Sequence, residues 1–259
     1  MELDIKRQFL TENDCYKLGR VIEPQGVMVH STGVAQPDPE VFVRGWNKPG
    51  VAKCVHAFVG REQIIQTLPW TMRGWHAGGS ANNTHISFEC CEPAGHTYDG
   101  GAMVGYDPEA NRPYFEDVYR NAVRLTAMLC EAFSLDPARP GVVICHAEGH
   151  ALGVASNHGD VLQWWPKHGV TMDQFRRDVA RAMEDGREED DMTQERFDEL
   201  MDSYLTRRGA LEPGAWSAPA RAWAEERGII AGDSGFRYRS FATREETVQM
   251  LYQLSGRGE

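Results

Sequence analysis

Residues 145–167 read CHAEGHALGVASNHGDVLQWWPK, and this stretch decides how the chain is understood. It places His146, His150, His158 and Asp160 within fifteen residues, directly after the apolar run Gly141-Val142-Val143-Ile144. A short β-branched run of that kind predicts a buried strand, so His146 stands at the strand's end, where a loop can bring further ligands to one metal ion. Zinc takes imidazole nitrogen, thiolate or carboxylate oxygen in a tetrahedron, and a catalytic zinc keeps one corner open. Three protein ligands are needed, and this segment supplies two or three of them. Another lies upstream, where Gly26-Val27-Met28-Val29-His30-Ser31 is again a short apolar strand ending in a histidine. A lone histidine is ordinarily a surface or hydrogen-bonded group; two strands that each present a terminal histidine point to a shared ion.

The composition sets outer bounds. At 259 residues the chain can bury a full core and divide into two units. Hydrophobic content of 41% and charged content of 25% are those of a globular protein. A net charge of -11 argues against a nucleic-acid partner, which calls for a basic face. No apolar stretch approaches the ~20 residues of a spanning helix. The opening MELDIKRQFLTENDCYKLGR shows no basic start, apolar run or cleavage site, so the sequence predicts synthesis in the cytoplasm without a signal peptide. Six cysteines, none in CxxC spacing and most within apolar runs, read as reduced core thiols.

From the N-terminus, residues 1–20 form a lead-in with a helix cap at Thr11-Glu12-Asn13-Asp14. Residues 40–47 predict a short helix that Pro49-Gly50 ends, and residues 52–59 and 63–68 predict a hairpin of period-2 strands. Residues 69–79, PWTMRGWHAGG, are too rich in Gly and aromatics for a regular element and read as a binding loop. Residues 86–91, ISFECC, predict a strand with one acid, Glu89, in its middle; a carboxylate there is costly to bury without a partner or a task. A polar loop over 95–112 leads to a long amphipathic helix over 114–133. Strand 141–144, the ligand loop and a helix over 171–183 complete an α/β unit. The acidic run over 184–191, EDGREEDD, reads as a solvated linker. Beyond it comes a helix over 194–207, then a compact helical tail with a turn at Gly232-Asp233. Thr243 and Glu246 make a capping box for the last helix. The expected domains are 1–185, a linker at 186–192, and a small all-α unit at 193–259.

Six motifs in order, VMVHSTG, CVHAFVG, RGWHAGG, HISFECCE, VVICHAEG and ASNHGDV, resemble the zinc N-acetylmuramoyl-L-alanine amidases of the amidase-2 class, above all phage and prophage endolysins. Peptidoglycan recognition proteins share that fold. The resemblance covers residues 20–180 and implies a mixed central β-sheet flanked by helices, with one zinc ion in a groove. It also implies cleavage of the amide between N-acetylmuramic acid and the first L-alanine of the peptidoglycan stem. Carried over by position, His30 and His146 match the first two zinc ligands. The family's third ligand follows eight to ten residues later, where this chain has a lengthened loop; His158 takes the position, with Asp160 as the competing choice because Asp160 also suits the cap of the next helix. Glu89 matches the general base, since Val55 stands where some members carry a tyrosine. Ser156 holds the position of an oxyanion donor if His158 is the ligand; if Asp160 is, His158 takes over that position. Trp46, Trp75 and His76 are expected to touch substrate in the groove.

The tail WSAPARAWAEERGIIAGDSGFRYRSFATREE resembles one S-layer-homology repeat. In that family such repeats hold secondary cell-wall polymers, and Arg244 matches the arginine in the ligand site. The resulting expectation is an endolysin released to the wall after synthesis. Two alternatives stand beside it: a cytoplasmic amidase that recycles muropeptides, and a peptidoglycan-binding module without catalysis.

Overall fold

A six-stranded sheet forms in the first part of the chain because its apolar runs alternate between two covered faces. Its strands are Ile5–Arg7 (β1), Gly26–Ser31 (β2), Ala57–Val59 (β3), Ile64–Gln66 (β4), His85–Cys90 (β5) and, after the two-stranded hairpin Thr97–Asp99 (β6) and Ala102–Val104 (β7), Val143–Cys145 (β8). The spatial order is β1-β4-β3-β5-β2-β8. The centre is parallel: β2 pairs with β5 on one side and β8 on the other, and β3 runs parallel to β5. Only the β3–β4 pair is antiparallel within this sheet, closing the hairpin read from residues 52–68. This computed structural model describes residues 3–190, 194–229, 239 and 241–255.

Helices cover both faces: Asp14–Leu18 (α1), Pro39–Trp46 (α2), Arg112–Ala132 (α3), His146–Ala151 (α4), Val161–Trp164 (α5) and Met172–Asp190 (α6). One face buries Val27, Val29, Ile86, Phe88, Val143 and Cys145 against Phe115, Val118, Ala122, Leu125 and Leu129 of α3, with Trp164, Trp165 and Phe175. Each of the Val, Ile, Leu and Phe side chains among them contributes about 1.5–3 kcal/mol of transfer free energy. The alternate residues Met28, His30, Ser87, Glu89 and Ile144 are left for the opposite face. There Met28 and Ile144 pack with Ala77 and Ala81 in a small second layer, and Val55, Phe58, Ile65 and Leu68 form a third cluster under α1 and α2. Gly26 is obligatory at the start of β2: a Cβ there would lie 2.4 Å from the Val142 carbonyl and 2.6 Å from His85 Nε2.

Several elements differ from expectation. Strand 52–59 shrinks to Ala57–Val59, with Cys54 in an isolated bridge to Trp75. The lead-in contains β1, and the polar loop contains β6 and β7; three-residue strands carry too little periodicity to be read. The helix expected over 171–183 continues through the acidic run to Asp190, because Glu and Arg are good helix formers and solvation does not unwind them. All six cysteines are free and buried.

The chain divides into two compact units, Met1–Glu188 and Glu189–Glu259. The second holds the helices Gln194–Gly209 (α7), Ala218–Glu226 (α8) and Arg244–Leu254 (α9). Thr243 caps α9 through the expected box: its side chain accepts from Glu246 N, and Glu246 accepts from Thr243 N at 2.7 Å. Arg244 is exposed in the first turn of α9. The Gly232-Asp233 turn lies outside the described residues. Among those residues no helix is long and apolar enough to cross a membrane.

Candidate metal centre

The C-terminal ends of parallel strands are where open α/β sheets gather functional groups, since the loops there leave the sheet on the same side. Here β2 delivers His30 one residue before its end, β5 delivers Glu89 in register beside His30, and β8 hands over to α4, whose first residue is His146. The mount of His146 is firm. Glu148 accepts from Cys145 N at 3.1 Å, and the Arg176 guanidinium from α6 grips both Glu148 oxygens at 3.1 Å while also donating to the Val143 carbonyl.

His30 and His146 are buried, and Asp160 joins them from the far end of the ligand loop. His30 Nδ1 lies 2.6 Å from Asp160 Oδ2, His146 Nδ1 lies 3.1 Å from the same oxygen, and the two Nδ1 atoms are 3.1 Å apart. Among the described residues this is the one place where three such donors converge. Two imidazole nitrogens and a carboxylate are a donor set that zinc accepts, and the triangle's edges approach the ~3.3 Å of a tetrahedron with ~2.0 Å bonds. The residues present therefore fit the ion. Burial lowers the His30 pKa, against the pull of Asp160, so its ring is neutral and carries a lone pair. Burial alone would raise the Asp160 carboxyl, but its contacts with His146 and His30 outweigh burial and hold it ionised, below the usual range.

His158 stands on the other side of His146. Its Nδ1 is 3.2 Å from His146 Nε2 and 3.0 Å from Ser156 Oγ, whereas Asp160 meets His146 at Nδ1. His158 and Asp160 thus approach opposite nitrogens of one ring, and a single ion cannot use both. The helix-capping role that competed for Asp160 is absent: its side chain makes no cap bond to α5 and turns to the histidines instead. Asp160 also has φ 46 and ψ -126, a region that costs a residue with a Cβ about 1–3 kcal/mol and is retained at functional positions. No sequence pattern announces that strain.

Glu89 is half-buried, yet its Oε2 is sealed from solvent with no hydrogen-bond partner. Burial, and then the charge of Asp160, raises its pKa well above the ordinary carboxylate range. Ser156 Oγ donates to the Ala77 carbonyl at 3.2 Å and lies 3.1 Å from His146 Nε2. His76 sits directly behind His30, with its Nδ1 3.0 Å from His30 Nε2, and so belongs to the histidine cluster. Trp46 packs edge-on to Phe58 at 4.9 Å and Trp75 packs on the same apolar cluster, so both indoles are engaged in the third core. One further acid escaped the sequence. Glu92 is fully buried, accepts from both Tyr98 OH and His96 Nε2, and holds the Gly33 amide at 3.2 Å, which pins the loop that follows His30.

A family model described as N-acetylmuramoyl-L-alanine amidase matches residues 20–164. The curated N-acetylmuramoyl-L-alanine amidase CwlH of Bacillus subtilis (strain 168) is 29% identical over 96 residues; that stretch is 35% of this chain and spans 38% of the relative's length. Among solved structures, the Staphylococcus aureus hydrolase AmiA superposes with a TM-score of 0.53 at 20% identity, over 71% of this chain and 85% of the other. A mutant endolysin from Bacillus subtilis superposes at 0.50 and 22% identity, over 69% of this chain and 99% of the other. At such identities the two structures speak for the fold, a mixed central sheet flanked by helices.

Proposed function

The chain belongs to the N-acetylmuramoyl-L-alanine amidase family, and from that premise we propose that it hydrolyses the amide bond between N-acetylmuramic acid and the L-alanine of the peptidoglycan stem, with one zinc ion held by His30, His146 and Asp160. The observation that carries the reading is the meeting of those three donor atoms, 2.6–3.1 Å apart, beside an unpartnered buried carboxylate oxygen of Glu89. When bound there, zinc supplies Lewis acidity for activating water and an amide carbonyl.

The protein's own groups do the rest. Glu89 has an elevated proton affinity, so at neutral pH it can take a proton from the attacking water and return it to the departing amine of L-alanine. A carboxylate at the usual glutamate value would take the proton up less readily. Asp160 keeps its charge beside Glu89, which helps to hold that affinity up. With Asp160 as ligand, His158 takes the oxyanion-donor position: its ring is exposed beside the centre, two residues before the ligand. Ser156, whose hydroxyl is enclosed by the Ala77 carbonyl, His158 Nδ1 and His146 Nε2, supports His146 rather than the substrate. A donor of the oxyanion type is typically worth about 3 kcal/mol.

Peptidoglycan is the partner of this reading, with deployment at the wall in the manner of an endolysin. A module that only binds peptidoglycan has no use for a carboxylate kept buried without a partner, a costly arrangement. The second unit is proposed to hold a secondary cell-wall polymer, with Arg244 at its contact. Release of free L-alanine amino termini from purified peptidoglycan tests the amidase reading. Wild type is expected to release them and Glu89→Gln to fall by about 10²–10⁴-fold; zinc-loaded wild type that frees none would overturn it.

A further inference from the structure

His30 is held at both ring nitrogens. Its Nδ1 faces Asp160 and His146, and its Nε2 lies 3.0 Å from His76 Nδ1. The far nitrogen of His76, Nε2, lies 3.3 Å from the backbone carbonyl of His85. A carbonyl can only accept, so the single proton of a neutral His76 belongs on Nε2. That leaves a lone pair on His76 Nδ1, which can only accept from His30. The His30 proton then belongs on Nε2, and its Nδ1 is left with a lone pair directed at Asp160 and His146. One backbone oxygen thereby sets the tautomer of two rings in succession.

His76 itself is fixed by the chain around it. Asn82 Oδ1 accepts from the backbone N–H of His76 at 2.9 Å and of Ala77 at 2.8 Å. The adjoining Ala77 carbonyl accepts from both the amide and the hydroxyl of Ser156, at 2.8 and 3.2 Å. Ser156 Oγ also lies 3.0 Å from His158 Nδ1; with its one proton given to that nitrogen or to the Ala77 carbonyl, it accepts from His146 Nε2 at 3.1 Å, which likewise frees His146 Nδ1. The loop carrying His76 and Ala77 therefore backs both imidazoles from behind.

We propose that His76 is a positioning residue that fixes His30 in the Nε2–H tautomer, so that Nδ1 is presented to a metal ion, with Ser156 doing the same for His146. The proposal rests on the reading of His30 and His146 as ligands. A ligand histidine whose other nitrogen has a fixed acceptor binds metal more tightly, and loss of such a partner typically costs about 10–100-fold in affinity.

Zinc affinity, measured by competition with a chromophoric chelator, tests this in a way that activity does not. His76→Phe keeps a ring but no acceptor and should bind zinc about 10–100-fold more weakly. His76→Asn places an amide oxygen where Nδ1 stood and should stay within a few-fold of wild type, a rescue that loss of packing alone would not give. Zinc-loaded wild type labelled with 15N in histidine should show a protonated Nε2 on both His30 and His146. Wild-type affinity in a folded His76→Phe, or a His30 proton found on Nδ1, would overturn the proposal. If His76→Phe fails to fold, the nitrogen spectrum decides alone. Wild type that takes up no zinc would instead remove the metal reading itself, and this inference with it.

Discussion

Replacing Gly79 with alanine adds one methyl where the structure has no room for it. Gly79 has φ -155, extended backbone that alanine adopts freely, so any cost must come from contact. Its Cβ would lie 2.3 Å from the Val154 carbonyl oxygen, 2.8 Å from the Val154 carbonyl carbon and 3.1 Å from Ala155 Cα. The first distance is about 1 Å short of an ordinary contact, and every atom met is backbone, which cannot rotate away. The ligand loop must therefore move by about that amount from the segment bearing His76. Two bonds between them are strained, Ala81 N to Val154 O at 3.0 Å and Ser156 N to Ala77 O at 2.8 Å. Overpacking of this kind costs about 1–3 kcal/mol, which in a unit of this size lowers the melting temperature by roughly 2–10 °C. Metal sites tolerate displacements of only about 0.2 Å, so zinc affinity should fall at least tenfold. Melting curves and chelator competition read the two effects, with Gly45→Ala as control. Gly45 lies within α2 with nothing near its Cβ position, and alanine there should be neutral or stabilise by up to about 1 kcal/mol. A Gly79→Ala protein with wild-type melting and wild-type zinc affinity would refute the reasoning.

Other outcomes follow from single contacts. Glu89 is raised in pKa, so its ionised form costs the fold stability: the penalty is absent below the unfolded value near about 4.3 and grows as pH rises through the folded value. Metal-free Glu89→Gln should therefore melt above metal-free wild type, by a margin larger at pH 8 than at pH 5; equal margins would contradict the assignment. Arg176→Leu removes the fork on Glu148 and the bond to the Val143 carbonyl, and urea unfolding should show a loss of about 1–2 kcal/mol, the groups being partly exposed. Burial pushes the thiols of Cys130 and Cys145 up to about 12, and those of Cys90 and Cys91 upward as well. An aromatic disulfide reagent should leave these four unreacted in the native protein and label them on unfolding.

The sequence carried the sheet centre well, because β2, β5 and β8 are apolar runs in which a polar residue is conspicuous. His30, Glu89 and His146 stood out for that reason, and register then brought His30 and Glu89 side by side. The choice between His158 and Asp160 was not legible, since it depends on which nitrogen of His146 each one meets. An aspartate before a helix reads as a cap, and only the backbone at Asp160 shows that its side chain turns elsewhere. The contact of His76 with His30 was not legible, because an irregular Gly-rich loop gives no clue to which face its side chains take. Glu92 was passed over for a similar reason: its partners Tyr98, His96 and Gly33 meet it through β6 and loop geometry that short segments do not reveal. The acidic run was read as a linker from its charge, while helix propensity alone carried α6 to Asp190.

The most direct test of the account is the zinc content of three purified proteins after loading and dialysis: wild type, Asp160→Ala and His158→Ala. One zinc per chain is predicted for wild type and for His158→Ala, and none for Asp160→Ala. Zinc retained by Asp160→Ala and lost from His158→Ala would contradict the centre described here, and zinc absent from all three would contradict the metal chemistry altogether.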